Sequence, residues 1–174
     1  ETWVDSALKS FTSRNFKVIG ETGHVYGYGK SVWAMIDLDT RQPADILAVR
    51  GGLITEYIET EYSCPIEKSS RVKMSADAAP VRSIDTYYND VDINGHINSV
   101  KYIEHMLDLW DVAWYKQHRI KRFEIAYVAE SHQGDKLHFY REQRGTETDF
   151  NVRITKSNVE REETEVCRCR VQFV

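Results

Sequence analysis

The residues best suited to chemistry lie in one short stretch, residues 90–98, which holds two aspartates, two asparagines and a histidine. Carboxylates act as bases or nucleophiles, an imidazole accepts or relays a proton near neutral pH, and carboxamides orient a bound carbonyl or water. Apolar residues follow at three- and four-residue intervals, which predicts an amphipathic helix over residues 94–115. We therefore expect the polar groups to gather at the entrance of a helix.

Asn94 is the predicted N-cap of this helix, because its side-chain oxygen can accept a hydrogen bond from a first-turn N–H group. The first N–H groups of a helix lack intrahelical partners and stabilise a nearby anion or developing oxyanion. We expect Asp92 and His96 to converge on a carbonyl substrate there. The N–H groups of Gly95 and His96 are the candidate oxyanion donors, and Asn98 is a supporting residue.

The same stretch allows other interpretations. In a purely structural one, Asp92 and Asn94 only shape a turn and a cap, and this stays open. A calcium loop of the EF-hand type is disfavoured, because its twelfth position needs a bidentate Glu and this chain has Lys101. Zinc is disfavoured as well, since His96 and His105 lack a ligand spacing and the cysteines are distant. The sequence predicts neither a metal nor a cofactor.

The spacing Asp-x-Asn-x-His-x-Asn-x-x-Lys-Tyr over residues 92–102 resembles the signature of the acyl-acyl-carrier-protein (acyl-ACP) thioesterases. A looser part of it, over residues 90–98, is shared with hot-dog-fold acyl-CoA thioesterases in general. Further stretches resemble the acyl-ACP thioesterases in the same order, at residues 1–4, 31–35 with 40–41, and 127–131. The resemblance therefore extends along nearly the whole chain.

This resemblance implies an α+β fold of tandem hot-dog domains, each an antiparallel sheet wrapped around a central helix. Residues 1–64 would form a partial, acyl-chain-binding N-terminal domain that is N-terminally incomplete in this chain, residues 65–80 a linker, and residues 81–174 the catalytic C-terminal domain. The resemblance also implies that Glu130 is a site residue, which could hold a water or orient His96. Ser131 stands where plant members carry a cysteine, so a thiol cannot serve as nucleophile at that position.

The residue pattern agrees with this division. Residues 1–62 are strand-like, with β-branched and aromatic residues in 16–19 and 25–36. Residues 65–80 lose periodicity and collect Pro, Ser and Ala, the composition of a linker. The second half predicts strands over 82–88, 123–129, 136–141, 150–155 and 166–173 around the one helix, which is an α+β arrangement.

Composition excludes several classes of protein. A net charge of −4 argues against nucleic acid binding. No apolar run approaches the roughly 18 residues needed to span a bilayer, so membrane insertion is not expected. The three cysteines, Cys64, Cys167 and Cys169, have no zinc or redox spacing and favour a reducing, cytoplasmic location. Cys167 and Cys169 alternate with Val171 and Phe173 on a predicted strand, which indicates buried packing residues.

The functional hypothesis is hydrolysis of the thioester of fatty acyl-ACP, which releases free fatty acid. Asp92, Asn94, His96 and Glu130 are the expected catalytic residues, and whether Asp92 attacks directly or activates water stays open. The expected partner is an acidic acyl carrier protein, which could dock on basic residues at 68–73 or at 119–122, and a homodimer stays open. The alternatives are an acyl-CoA thioesterase and a non-catalytic module that binds acyl groups or carrier protein.

Overall fold

A computed structural model describes residues 1–69, 71–75, 78–158 and 163–174 of the chain. The chain forms two compact units, Glu1–Lys68 and Ser69–Val174. Residues 70, 76 and 77 of the predicted linker lie outside the described residues. Among the helices described, none is long and apolar enough to cross a membrane.

The first unit is built on a three-stranded antiparallel sheet in the order β1-β2-β3. Its strands are β1 (Thr2–Leu8), β2 (Phe11–Ile19) and β3 (Val25–Ala34). A 3-10 helical segment, Val49–Tyr57, lies against β1, and the N–H of Glu59 donates to the Val4 carbonyl at 2.9 Å. The strand-like prediction for residues 1–62 is therefore wrong over Val49–Tyr57, because Gly51 and Gly52 take left-handed φ values of 67° and 81°.

The second unit has a five-stranded antiparallel sheet in the order β4-β6-β7-β8-β5. The strands are β4 (Arg82–Asp85), β5 (Ile120–Tyr127), β6 (Lys136–Gln143), β7 (Asp149–Ser157) and β8 (Glu163–Phe173). Between β4 and β5 the chain forms a short 3-10 turn (Tyr88–Asp90) and two helices, α1 (Ser99–Leu107) and α2 (Val112–Gln117).

The core of the second unit joins α1 to the inner face of this sheet. Met106 of α1 is fully buried, and so are Val152 on β7 and Cys169 on β8, which are cross-strand partners. Burial raises the pKa of both the Cys167 and Cys169 thiols, which confirms that they are packing residues. A sheet packed around one helix confirms the predicted α+β hot-dog arrangement. The cluster comprises Ile97, Tyr102, Met106, Trp110, Leu137, Phe139, Phe150, Val152, Ile154, Val166, Cys167, Cys169, Val171 and Phe173.

The predicted helix over residues 94–115 is wrong in its start and in its continuity. Helix α1 begins at Ser99, and its N-cap is Asn98, whose Oδ1 accepts from the Val100 N–H at 2.9 Å. Asn94 instead belongs to a tight loop that precedes the helix. The helix ends at Leu107, and a new cap, Asp111, starts α2. Likewise the predicted strand over 82–88 ends at Asp85, since the 3-10 turn follows it.

The outer face of the sheet carries polar side chains, and Asp149 organises one end of it. Arg170 on β8 donates to both carboxylate oxygens of Asp149, at 3.0 and 2.7 Å, and Gln172 donates at 3.2 Å. This arginine fork is the main cause that holds the pKa of Asp149 below its ordinary value of 3.8. Asp149 therefore links β7 to β8 as an ionised group.

Truncation of Met106 tests the core. Met106→Ala removes a fully buried side chain between α1 and the sheet, and we expect it to lower the free energy of unfolding by about 2–5 kcal/mol. Val100→Ala is the matched control, because Val100 lies on the same helix with half of its surface exposed. Urea unfolding of both variants measures the difference, and equal losses would contradict the packing described.

The pH dependence of Asp149→Asn tests the arginine fork. Because the pKa of Asp149 in the folded protein lies below 3.8, its contribution is complete above about pH 4 and is lost as the pH falls through the lowered pKa. We expect the variant to lose about 1–2 kcal/mol at pH 7. The difference from the unaltered protein should shrink at pH 3. Urea unfolding at both pH values measures this, with the exposed Glu147→Gln as control, and a difference independent of pH would refute it.

Candidate active site

The loop that carries most of the predicted site residues is closed by Asp92. One oxygen of the Asp92 carboxylate accepts from the N–H groups of Asn94 at 2.8 Å and His96 at 3.3 Å. The backbone of Asp92 donates to the His96 carbonyl at 2.8 Å and accepts from the Gly95 N–H at 3.1 Å. Gly95 has a φ of 83°, which permits the tight turn. These bonds, that from Asn94 first, lower the pKa of Asp92 below its ordinary value.

These bonds occupy the two N–H groups that the sequence predicted as oxyanion donors. The Gly95 N–H donates to the Asp92 carbonyl, and the His96 N–H donates to the Asp92 carboxylate. An oxyanion would have to displace those bonds. Asn98 caps α1 and is part-way buried, while the Asn94 side chain is exposed beside the loop. The carboxylate of Asp92 thus faces its own loop, and Asn94 faces solvent.

Asp90 holds the base of this loop in place, and only 8% of its surface is exposed. Its carboxylate accepts from the Tyr87 N–H at 2.8 Å and lies 3.3 Å from Nε2 of His105 on α1. Its carbonyl accepts from the Asn98 N–H at 2.7 Å. Nothing in the sequence pattern indicates the pair between Asp90 and His105, because it depends on how α1 packs over the loop. Asp90 therefore ties the loop to the start of the helix and, through His105, to its second turn.

A second loop, residues 128–135, brings Glu130 to the first one. The Ile97 N–H donates to the Ser131 carbonyl at 2.8 Å, which joins the two loops directly. Thr86, buried to all but 5%, places its hydroxyl 2.7 Å from the Asp135 carbonyl and 3.1 Å from the His132 carbonyl. That hydroxyl also accepts from the Gly134 N–H at 3.0 Å. The side chain of Thr86 therefore holds residues 132–135 of this loop together.

His96 and Glu130 meet where the loops join. Nε2 of His96 lies 3.3 Å from Oε2 of Glu130, with 27% and 52% of the two side chains exposed. The ring of His132 contacts that of His96 edge-on, with centroids 5.0 Å apart. Lys156 donates to the Glu130 carbonyl at 2.8 Å. His132 directly follows the motif at 127–131, and that adjacency was the one signal that could have identified it; nothing local pointed to Lys156.

Ser131 and Tyr102 are buried residues next to the loop that carries Glu130. Ser131 is fully buried, and Tyr102 keeps only 3% of its surface exposed. Burial raises the pKa of Tyr102 to about 12, and the contact with Ser131 partly opposes that rise. Both hydroxyls are therefore neutral and shielded from solvent. The reactive groups at the surface are the imidazole of His96 and the carboxylate of Glu130.

Thr86→Val tests whether the buried hydroxyl holds the second loop. The substitution keeps the shape of the side chain but leaves the Gly134 N–H and the two carbonyls without this partner. We expect a loss of about 1–3 kcal/mol in urea unfolding and faster amide hydrogen exchange over residues 130–135. Thr164→Val, at an exposed strand position, is the control and should change the stability little. Unchanged exchange in Thr86→Val would refute the role of the hydroxyl.

Solved structures of thioesterases resemble this chain closely. The acyl-ACP thioesterase of Bacteroides thetaiotaomicron superposes with a TM-score of 0.87 at 46% identity, over 99% of this chain and 67% of that one. The 12:0-ACP thioesterase of Umbellularia californica superposes with a TM-score of 0.78, over 99% of this chain and 66% of that one. At 20% identity, the second likeness supports the fold alone.

Sequence comparison gives the same family. A chloroplastic palmitoyl-acyl carrier protein thioesterase of Gossypium hirsutum is 26% identical over 134 residues, which are 75% of this chain and 32% of the relative. The chain thus spans about a third of the length of the curated relatives that it matches. The family model of the acyl-ACP thioesterase N-terminal domain matches residues 1–49, and that of the C-terminal domain matches residues 56–174. Since the second match alone covers more than half of the sequence, the chain belongs to the acyl-ACP thioesterase family.

Proposed function

We propose that this chain carries the site at which a fatty acyl-ACP thioester is hydrolysed to free fatty acid. The observation that carries the proposal is the pair of His96 and Glu130, 3.3 Å apart and open to solvent, in a member of this family. Thioester hydrolysis needs a base that activates water and a donor that stabilises the oxyanion formed at the carbonyl. An imidazole oriented by a carboxylate supplies the first of these.

In the proposed reaction His96 removes a proton from a water molecule, and the resulting hydroxide attacks the thioester carbonyl carbon. The carbon–sulfur bond then breaks, and the departing thiolate takes up the proton from the imidazole. Glu130 orients the imidazole and stabilises its protonated form, as carboxylates beside catalytic histidines do. His132 lies near enough to contact the same ring from its edge.

Asp92 is not the general base in this proposal. Its carboxylate accepts two backbone N–H groups, which lowers its pKa and its basicity. It stays ionised near His96 and favours the protonated imidazole electrostatically, and it holds the loop in shape. The exposed amide of Asn94, which also interacts with the Asp92 carboxylate, would orient the thioester or the water.

The remaining roles belong to the same proposal. The first unit contains a groove of about 420 Å³ lined in part by Trp3, Ile54 and Tyr57, and this supports the assignment of residues 1–64 to acyl-chain binding. Residues 81–174 hold the catalytic groups, and residues 65–80 connect the two parts. The partner would be an acyl carrier protein in the cytoplasm.

Substitutions at three positions test the site in the full-length protein. His96→Gln should lower the rate of acyl-ACP hydrolysis by about a hundredfold or more, because it removes the base. Glu130→Gln and Asp92→Asn should lower kcat with smaller effects on KM, since each acts through the imidazole. Glu147→Gln, an exposed carboxylate on another loop, is the control and should retain full activity. Unchanged turnover in His96→Gln would refute the mechanism, and a lack of turnover in the unaltered full-length protein would favour a binding module.

Substrate choice is tested with matched acyl-ACP and acyl-CoA of the same chain length. We expect kcat/KM to be higher for acyl-ACP, because the carrier protein adds contacts that CoA lacks. A preference for acyl-CoA would refute the carrier-protein assignment, and it would leave the hydrolytic site intact.

A further inference from the structure

Two arginines face each other on the outer surface of the sheet in the second unit. Arg153 on β7 and Arg168 on β8 are direct cross-strand partners. Like charges placed directly opposite on one face destabilise a sheet unless something compensates them. Arg170, two residues further along β8, is compensated by the carboxylate of Asp149. The chain as a whole has a net charge of −4, so a general excess of cations does not explain the arginine pair.

The segment of residues 71–75 places further cations, Arg71 and Lys73, next to this arginine pair. Residues 71–75 are held on the outer face because Asn151 donates to the Lys73 carbonyl at 3.0 Å and the Ser75 N–H donates to the Glu142 carboxylate at 3.0 Å. A groove of about 300 Å³ lies between this segment and the two strands. Its lining residues are Arg71, Val72, Lys73, Met74, Arg153, Glu165 and Arg168.

The carboxylates nearby are already engaged. Glu165 binds Nε of Arg168. Glu163 accepts from the hydroxyls of Thr155 and Tyr140, and these bonds lower its pKa, with a smaller effect from Arg153. The groove lining that the structure describes therefore contains four cations and one carboxylate, so positive charge is in excess there.

Arg153 has hydrogen-bonding capacity to spare. Its guanidinium stacks over the ring of Tyr140 at 4.4 Å, which orients the fork. Its Nε is buried and has no hydrogen-bond partner within the part of the chain that the structure describes. A buried charged donor left without an acceptor is costly, and the acceptor that best fits an arginine fork is a carboxylate or a phosphate.

We infer that this groove binds a phosphate-class oxyanion between Arg153 and Arg168, with Arg71 and Lys73 covering it. The anion would neutralise the cross-strand repulsion between Arg153 and Arg168. The site lies on the outer face of the sheet, whereas α1 packs on the inner face, and it does not depend on the proposed hydrolysis.

The test measures phosphate binding and thermal stability of the full chain. Inorganic phosphate should raise Tm by about 4 °C over chloride at matched ionic strength, because it binds only the folded state. The double variant with Arg71→Gln and Lys73→Gln should lose most of this shift, and Arg153→Gln should lose it as well. The matched control, Arg119→Gln with Lys121→Gln, removes the same charge from exposed positions outside the groove and should keep the shift.

Calorimetric titration distinguishes free phosphate from a phosphate ester as the bound oxyanion. Binding of inorganic phosphate alone would assign free phosphate, and equal binding of methyl phosphate would assign a phosphate ester on a larger ligand. Equal Tm shifts in all variants, or no calorimetric binding of either compound, would overturn the inference. Because neither measurement uses thioester hydrolysis, failure here is distinct from failure of the proposed catalytic function.

Discussion

The candidate site depends on one backbone hydrogen bond, from the Ile97 N–H to the Ser131 carbonyl at 2.8 Å. It joins a loop that carries His96 to a loop that carries Glu130, and each loop is otherwise held by its own interactions. Asp92 closes the first loop, and Thr86 supports the second. The hydrogen bond from Ile97 to Ser131 brings the backbones that carry His96 and Glu130 close together, and the two side chains then meet at 3.3 Å.

The same arrangement separates structural carboxylates from reactive ones. Asp92 accepts two backbone N–H groups, whereas the Asp90 carboxylate accepts the Tyr87 N–H and faces His105, and both lie within the framework of the loop. Glu130 makes its contact with His96 while half of its surface stays exposed. A carboxylate that already accepts two N–H groups is a weak base, whereas one that faces an imidazole can respond to its protonation. Residues of the same chemical type thus differ in what they can do because of their hydrogen bonds.

Periodicity predicted the α+β arrangement and located the stretch of polar residues, because both are local properties, and the family resemblance implied the hot-dog fold. It could not place the helix start, since Asp92, Asn94 and Asn98 are all residue types that cap helices. The choice of Asn98 is made by tertiary structure: its N–H donates to the buried Asp90 backbone, while Asp92 closes the preceding turn. The contact between Asp90 and His105 is of the same kind, because it forms only when α1 packs over the loop.

Position 131 illustrates how a site residue can act through its backbone. The resemblance to plant thioesterases places a cysteine there, yet the Ser131 side chain is fully buried and cannot meet a substrate without a rearrangement. The group that Ser131 contributes is its carbonyl, which accepts the Ile97 N–H. A carbonyl is common to every residue, so the side chain at this position has only to be small enough to pack beside Tyr102. The pairing of His96 with Glu130 therefore uses the backbone of Ser131 rather than its hydroxyl.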